Sequence, residues 1–378
     1  MNFKLFFLSL HSFSMGILLF YKAVDSNYLD ILGKVQNLLK EEHLPQIKKS
    51  ITKISENVQT HPATPIGQIH IRVNGSATQL NKNVLLRDLN QILETRTLER
   101  TKYYLQRLVK NISEIKTGKI NDLNLNRWKE YDDIFTDSLW HLDKRDSSGS
   151  HSAGYWGNFI PQIPHQLLRR YTKKGEWVLD AFLGSGTTLI ESKRLGRNGI
   201  GVELQKKVAQ SAIKAIEKEE DFFSAKSEII IADSSTLDFN TELRDRNIKS
   251  VQFLIMHPPY WDIIKFSEDK RDLSNAPSID DFLQMFGKVV DATYPILDKG
   301  RYFAVVIGDK YSAGNWIPLG FYTMQEVLKR KYSLKSIIVK NFDDTKGKRN
   351  QKELWRYRAL VGGFYIFKHE YIFLFKKE

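Results

Sequence analysis

The stretch Val178-Leu-Asp-Ala-Phe-Leu-Gly-Ser-Gly-Thr-Thr188 reads as a buried strand, a tight glycine turn and a helix start, in that order. Trp177 to Leu179 are apolar and partly β-branched, as a strand covered on both faces requires, and Asp180 stands where that strand ends. Gly184 and Gly186 leave the turn without side chains, so a ligand can approach the backbone. Thr187 and Thr188 are expected to cap a helix running toward Arg194. Two common glycine-loop chemistries do not fit. A phosphate-cradling loop needs Gly-Lys-Ser/Thr after four spacers, and the dinucleotide fingerprint needs a third glycine three residues after the second. Downstream, Ile200-Gly-Val-Glu203 is an apolar strand closed by an acid, where doubly wound sheets hold a ribose. Glu228-Ile-Ile-Ile-Ala232 is a third strand, ending at Asp233. Three successive strands each closed by a carboxylate are more than scattered turn residues would give.

The second informative stretch, Met256-His-Pro-Pro-Tyr-Trp261, reads as a strand running into a rigid, aromatic-tipped loop. Its two prolines fix φ, and Tyr260 offers a face on which a flat substrate can stack. Alone, Pro-Pro-Tyr is an ordinary rigid turn. Following a glycine motif, it completes a place for a small charged nucleotide-like cofactor beside a flat, amine-bearing substrate, which points to methyl transfer.

Asp180 to Thr188 closely resembles the cofactor motif of S-adenosylmethionine-dependent DNA amino-methyltransferases, the enzymes that methylate cytosine N4 or adenine N6. His257-Pro-Pro-Tyr260 resembles their catalytic tetrapeptide, and Gly157-Asn-Phe-Ile-Pro-Gln162 with Thr172 to Gly175 resembles the segment preceding the glycine motif. The resemblance covers residues 150 to 378. It implies a Rossmann-like α/β fold, a mixed, mainly parallel seven-stranded methyltransferase sheet. It further implies that Phe182, Gly184, Gly186 and Thr187 line the methionine moiety, with Asp180 in the same motif. Glu203 would hold the ribose, Asp233 would contact the adenine amine, and Asn158 and Pro161 would belong to the same pocket. His257, Pro258, Pro259 and Tyr260 would act on the target base, and double-stranded DNA with a flipped-out base would be the substrate.

One position departs from the family pattern. The first residue of the tetrapeptide is usually Asn, Ser or Asp; here it is His257. In the family that side chain and the following proline carbonyl accept hydrogen bonds from the target amine and free its lone pair. A neutral imidazole can accept such a bond and a protonated one cannot. Activity is therefore expected to fall below the pKa of His257, and a profile flat down to about pH 5 would count against this role. Trp261 directly after Tyr260 looks more like the cytosine-N4 members, so cytosine N4 is favoured over adenine N6. The chain has no cysteine, which excludes the cysteine-dependent attack at cytosine C5.

Lys and Arg number 57 against 44 Asp and Glu, a formal charge of +13, which favours a polyanionic partner. Lys346-Gly-Lys-Arg-Asn350 and Lys352 to Arg358 interleave cations with Trp355 and Tyr357, and are expected to form a late basic loop able to meet phosphates. Asp309, at another strand end, is either a wall of the base pocket or a structural turn.

The N-terminal third, residues 1–142, is expected to be a mostly helical module that reads DNA, forms a dimer or simply covers the sheet. Residues 26–62 and 83–118 show helical spacing, with Leu29, Ile31, Leu32, Val35, Leu38 and Leu39 on one stripe and Leu86, Leu89, Ile92, Leu93, Leu105 and Leu108 on another. Between them Ile69 to Val73 alternates like a strand, with Asn74-Gly75 as its turn. Asp143 to Gly154 reads as a linker and residues 155–378 as the catalytic domain. Leu5 to Phe20 is apolar but interrupted by His11, Ser12 and Ser14 and short for a membrane span. It is expected to be a buried segment or to precede a true start at Met15. The resemblance implies a cytoplasmic enzyme with no membrane and with a restriction nuclease as a possible cognate, and the sequence carries no metal constellation. Two rivals stay open: an RNA guanine-N2 methyltransferase, and a DNA-binding subunit made catalytically silent by His257.

Overall fold

The computed structural model describes residues 28–341 and 352–378, apart from 74, 152, 153 and 156. The apolar segment Leu5 to Phe20 and the cations of Lys346 to Asn350 lie outside the described residues. Among the described residues no helix is long and apolar enough to cross a membrane. The chain divides into two compact units, one comprising residues up to Gly118 with Leu123–Asp132, the other Lys119–Asp122 with Asp133–Glu378.

The first unit holds helices α1 (Leu32–Leu38), α2 (Leu44–Thr60), α3 (Lys82–Leu93) and α4 (Leu98–Ser113), and an antiparallel hairpin of β1 (Gln68–Val73) and β2 (Ser76–Asn81). Each expected helical region is thus cut in two. Pro45, which lacks an amide proton, starts α2 in its first turn, and Thr97 caps α4 by accepting from the Arg100 amide. The alternation from Ile69 is a strand, with Ile69 and Ile71 fully buried, and its partner β2 was not visible in the sequence pattern. The two apolar stripes meet in one core with Val35, Ile47, Ile51, Leu89, Ile92 and Leu105 at its centre.

The second unit is an eight-stranded sheet. Its strands are β3 (Leu139–Trp140), β4 (Trp177–Asp180), β5 (Asn198–Glu203), β6 (Ser227–Ile231), β7 (Val251–Met256), β8 (Leu297–Ile307), β11 (Tyr332–Asn341) and β12 (His369–Lys377). They lie in the order β3-β11-β12-β8-β7-β4-β5-β6. β12 runs antiparallel to both neighbours and all other pairings are parallel. A separate hairpin is formed by β9 (Lys310–Ser312) and β10 (Asn315–Ile317). Helices α5 (Gln162–Tyr171), α6 (Thr187–Arg194), α7 (Lys206–Lys218), α8 (Phe239–Asp245), α9 (Ile279–Thr293) and α10 (Leu319–Leu328) belong to this unit. The expected seven-stranded sheet is present, with two-residue β3 added at its edge.

The inner strands read as near-continuous apolar runs because cores cover both faces. Leu254, Met256, Phe303 and Phe373 enter one core, and Val178, Phe253, Ile255 and Ile372 the other. Two sequence expectations are corrected. Trp140, assigned to the N-terminal module, is buried and pairs with Lys340 of β11, so the larger unit begins before the expected linker. Lys352 to Arg358 is not a loop but the start of helix α11 (Lys352–Gly362), which leaves Tyr357, Leu360 and Val361 exposed.

Candidate functional site

Parallel register brings the two motifs together. Asp180 of β4 lies level with Ile255 of β7 and with Gly201 of β5. The glycine turn, the His257 loop and the Glu203 end therefore leave neighbouring strands at the same edge of the sheet, the place where open α/β sheets bind ligands.

The glycine turn is built around two carboxylates. Asp180 is buried; its Oδ1 accepts from the Phe182 amide at 3.0 Å and its Oδ2 from the Thr188 hydroxyl at 2.5 Å. Loss of water raises its pKa to about 6 against those two bonds. Glu203 accepts from the Gly184 amide at 2.9 Å through one oxygen and from the Gln205 amide at 2.9 Å through the other. Burial, first, pushes its pKa up as well. Gly184 and Gly186 have φ of 53° and 84°, a left-handed backbone that favours glycine. The helix expectation needs correction here. Gly186, not a threonine, is the N-cap of α6 and no side chain caps it. Thr187 instead donates to Asn158 Oδ1 at 2.6 Å, and Thr188 to Asp180.

This donor set fits S-adenosylmethionine rather than a phosphate. The amides of Phe182, Leu183, Gly184 and Gly186 are turned onto protein oxygens, and the acids Asp180, Glu203 and Asp233 close the three strands. Carboxylates suit hydroxyls, an amine and a cationic sulfur, and repel phosphate. Asp233 already accepts from the Ser235 amide and hydroxyl through Oδ1, at 2.9 and 2.7 Å.

The segment before α5 touches both motifs. Tyr155 lies over Gly184, where an added Cβ would meet its ring at 3.2 Å, and stacks on Phe266. Asn158 holds Thr187, and Phe159 meets the His257 ring edge-on at 4.9 Å. Pro161 is buried at the N-cap of α5.

His257 leaves the end of β7 with Pro258, Pro259 and Tyr260. Burial, first, and the cation Lys340 lower its pKa to about 4, against an opposing pull from Glu370. The imidazole is thus neutral to lower pH than an ordinary histidine. Its Nε2 lies 3.2 Å from the Tyr260 hydroxyl, which donates to Glu370 Oε2 at 2.7 Å. Glu370 Oε1 accepts from Lys340 Nζ at 2.9 Å. Gly308, after β8, lies so near that a Cβ there would come within 2.8 Å of the Tyr260 ring. Trp261 has φ of 52°. Its indole donates to the Ala276 carbonyl at 2.8 Å, and Lys310 sits 4.0 Å over its ring while pairing with Asp262.

Asp309 has a structural role. It accepts from the Gly320 amide, the Trp316 indole and the Tyr371 hydroxyl, and so ties the β9–β10 hairpin to α10 and β12. Sequence reading missed Tyr155, Lys340 and Glu370. The last two stand next to a strand end, and His369-Glu370 reads in the sequence as the ordinary entry to the last strand, where a charge is expected to meet solvent.

Sheet order, acid-ended strands and glycine turn define a Rossmann-like α/β methyltransferase fold. The chain matches the family model described as DNA methylase over residues 35–214, a stretch that includes the glycine motif and stops short of His257. It is 37% identical over 101 residues to Type II methyltransferase M2.DpnII of Streptococcus pneumoniae, 26% of this chain and 34% of that protein. Over 97 residues it is 34% identical to Type II methyltransferase M2.LlaDCHI of Lactococcus lactis subsp. cremoris, 25% of this chain and 33% of that one. Over another 97 it is 31% identical to Type II methyltransferase M.BglI of Bacillus subtilis, 26% of each. The matched stretches span about a third or less of these relatives. Among solved structures, TrmN from Thermus thermophilus is similar with a TM-score of 0.38 and 13% identity, over 88% of this chain and 80% of that one. The family match and the relatives support the DNA amino-methyltransferase family for this chain, and with it S-adenosylmethionine as cofactor.

Proposed function

We propose that this chain is a site-specific DNA methyltransferase that moves a methyl group from S-adenosylmethionine to an exocyclic base amine, cytosine N4 in preference to adenine N6. The observation that carries the reading is the shared edge of β4 and β7, with the glycine turn and the His257 tetrapeptide side by side. The substrate is duplex DNA with its target base flipped out, and the Type II names of the relatives favour a restriction–modification setting in the cytoplasm.

When bound, the cofactor supplies an electrophilic sulfonium methyl. Phe182, Gly184, Gly186, Thr187, Asn158 and Pro161 form its methionine side. Asp180 shapes the turn, Glu203 takes the ribose hydroxyls and Asp233 the adenine amine. His257, neutral through most of the working range, accepts one amine hydrogen with the Pro258 carbonyl beside it. Pro259 keeps the loop rigid, and Tyr260 packs on the base. The amine nitrogen held by His257 and the Pro258 carbonyl would be the atom that takes the methyl, and its surplus proton would leave to water. The N-terminal unit and α11 are the candidates for reading the DNA.

Expression from Met1 and from Met15 in a methylation-free host, followed by sequencing that reports modified bases, tests the reading. One motif carrying N4-methylcytosine is the expected result. N6-methyladenine would move the base assignment, methyl transfer to RNA alone would replace the substrate, and cofactor binding without any transfer would indicate a silent subunit.

A further inference from the structure

Outside the two motifs, the most unusual chemistry is an ion pair buried between the ends of β11 and β12. Lys340 of β11 and Glu370 of β12 are direct cross-strand partners, and their side chains are 6% and 10% exposed. Burying two charges is expensive and seldom raises stability. This pair does more than neutralise itself, because the second Glu370 oxygen holds Tyr260.

We propose that Glu370, anchored by Lys340, is a positioning residue that fixes which ring nitrogen of His257 is free to accept the target amine. The argument is a count of protons. An ionised carboxylate only accepts, so the Tyr260 hydroxyl gives its single proton to Glu370. Toward His257 Nε2, 3.2 Å away, that oxygen can then only accept. Nε2 therefore carries the ring proton, and in a neutral imidazole Nδ1 is left with its lone pair exposed for use. The environment keeps each group in the required state. Burial alone would raise the Glu370 carboxyl, but Lys340 beside it and the bond from Tyr260 hold it below the ordinary carboxylate range. Burial, with Glu370 beside it, keeps the Tyr260 hydroxyl protonated. The groups facing His257 are Tyr260 from its own loop, Phe159 from the segment before α5, and Glu370 and Lys340 from the two late strands.

The role in methyl transfer rests on the function proposed above; the tautomer does not. In protein labelled with 15N at histidine, the bare ring nitrogen of His257, assigned by its absence in His257→Gln, is expected to be Nδ1. In the double variant Glu370→Gln/Lys340→Met, which removes both charges together, the ring should shift toward the other tautomer or a mixture. kcat should fall by on the order of 10²-fold, while the Michaelis constant for the cofactor stays within about twofold of the parent. A bare Nε2 in the unsubstituted protein would overturn the proposal, as would a folded double variant with unchanged tautomer and kcat. If the double variant fails to fold, the unsubstituted spectrum still decides. Nδ1 bare in a protein that methylates no DNA would retain the proton assignment and discard the DNA reading.

Discussion

At the scale of single residues, His257 decides most. Its pKa of about 4 means that it is neutral above that value and loses acceptor capacity only below it. The pH profile of kcat is expected to stay level from neutrality to about pH 5 and to fall near pH 4; an acid limb at the ordinary histidine value near 6.5 would contradict the burial seen here. Replacement by alanine should cost kcat on the order of 10²-fold, with cofactor affinity measured by calorimetry essentially unchanged, since the residues proposed above to hold the cofactor lie outside the His257 loop. Asparagine, a residue usual in the family, should recover part of the loss.

At the scale of elements, the spacing between β8 and the His257 loop is set by Gly308. A methyl at that position would meet the Tyr260 ring at 2.8 Å, a separation that side chains do not tolerate. Gly308→Ala should displace the ring, lower kcat by about tenfold or more and leave the melting temperature close to the parent's; an unimpaired variant would show that Tyr260 is free to move. The same scale shows what the sequence could disclose. β4, β5 and β7 were readable as apolar runs closed by acids or prolines, because parallel strands covered on both faces need such runs. The partner of β1 was not, since Ser76 to Asn81 contains only Leu80 as a buried apolar residue. The helix Lys352–Gly362 was mistaken for a loop because its cations and aromatics follow no apolar stripe. Thr187 and Thr188 were misjudged as caps for a different reason: their hydroxyls are claimed by Asn158 and Asp180, partners outside the helix.

At the scale of the whole molecule, His257, Asp180 and Glu191 are among the groups whose shifted pKa values shape acid stability. His257, lowered from 6.5 to about 4, resists a proton that the unfolded chain accepts, so its contribution declines as pH falls through that window. Asp180, raised from 3.8 to about 6, does the opposite over nearly the same range, and the two offset each other. Glu191 is shifted in the same destabilising-with-acid sense as His257. Burial would raise it, but hydrogen bonds from His151 and His165, with Arg194, bring it from 4.5 to about 2. Its stabilisation is complete above 4.5 and disappears as pH falls toward 2, on the order of 3 kcal/mol. Denaturant titrations should show near-constant stability down to about pH 4.5 and a drop below it, and Glu191→Gln should flatten that drop. The left-handed backbone of Trp261 has a consequence on heating. That conformation is unfavourable for a bulky residue by about 1–2 kcal/mol, and it is retained only while the Ala276 carbonyl and Lys310 grip the indole from outside the sheet. A loop held in this way lets go before the strands beneath it do, so catalysis should fade several degrees below the cooperative melt, reversibly, in a protein whose circular dichroism still reports an intact fold.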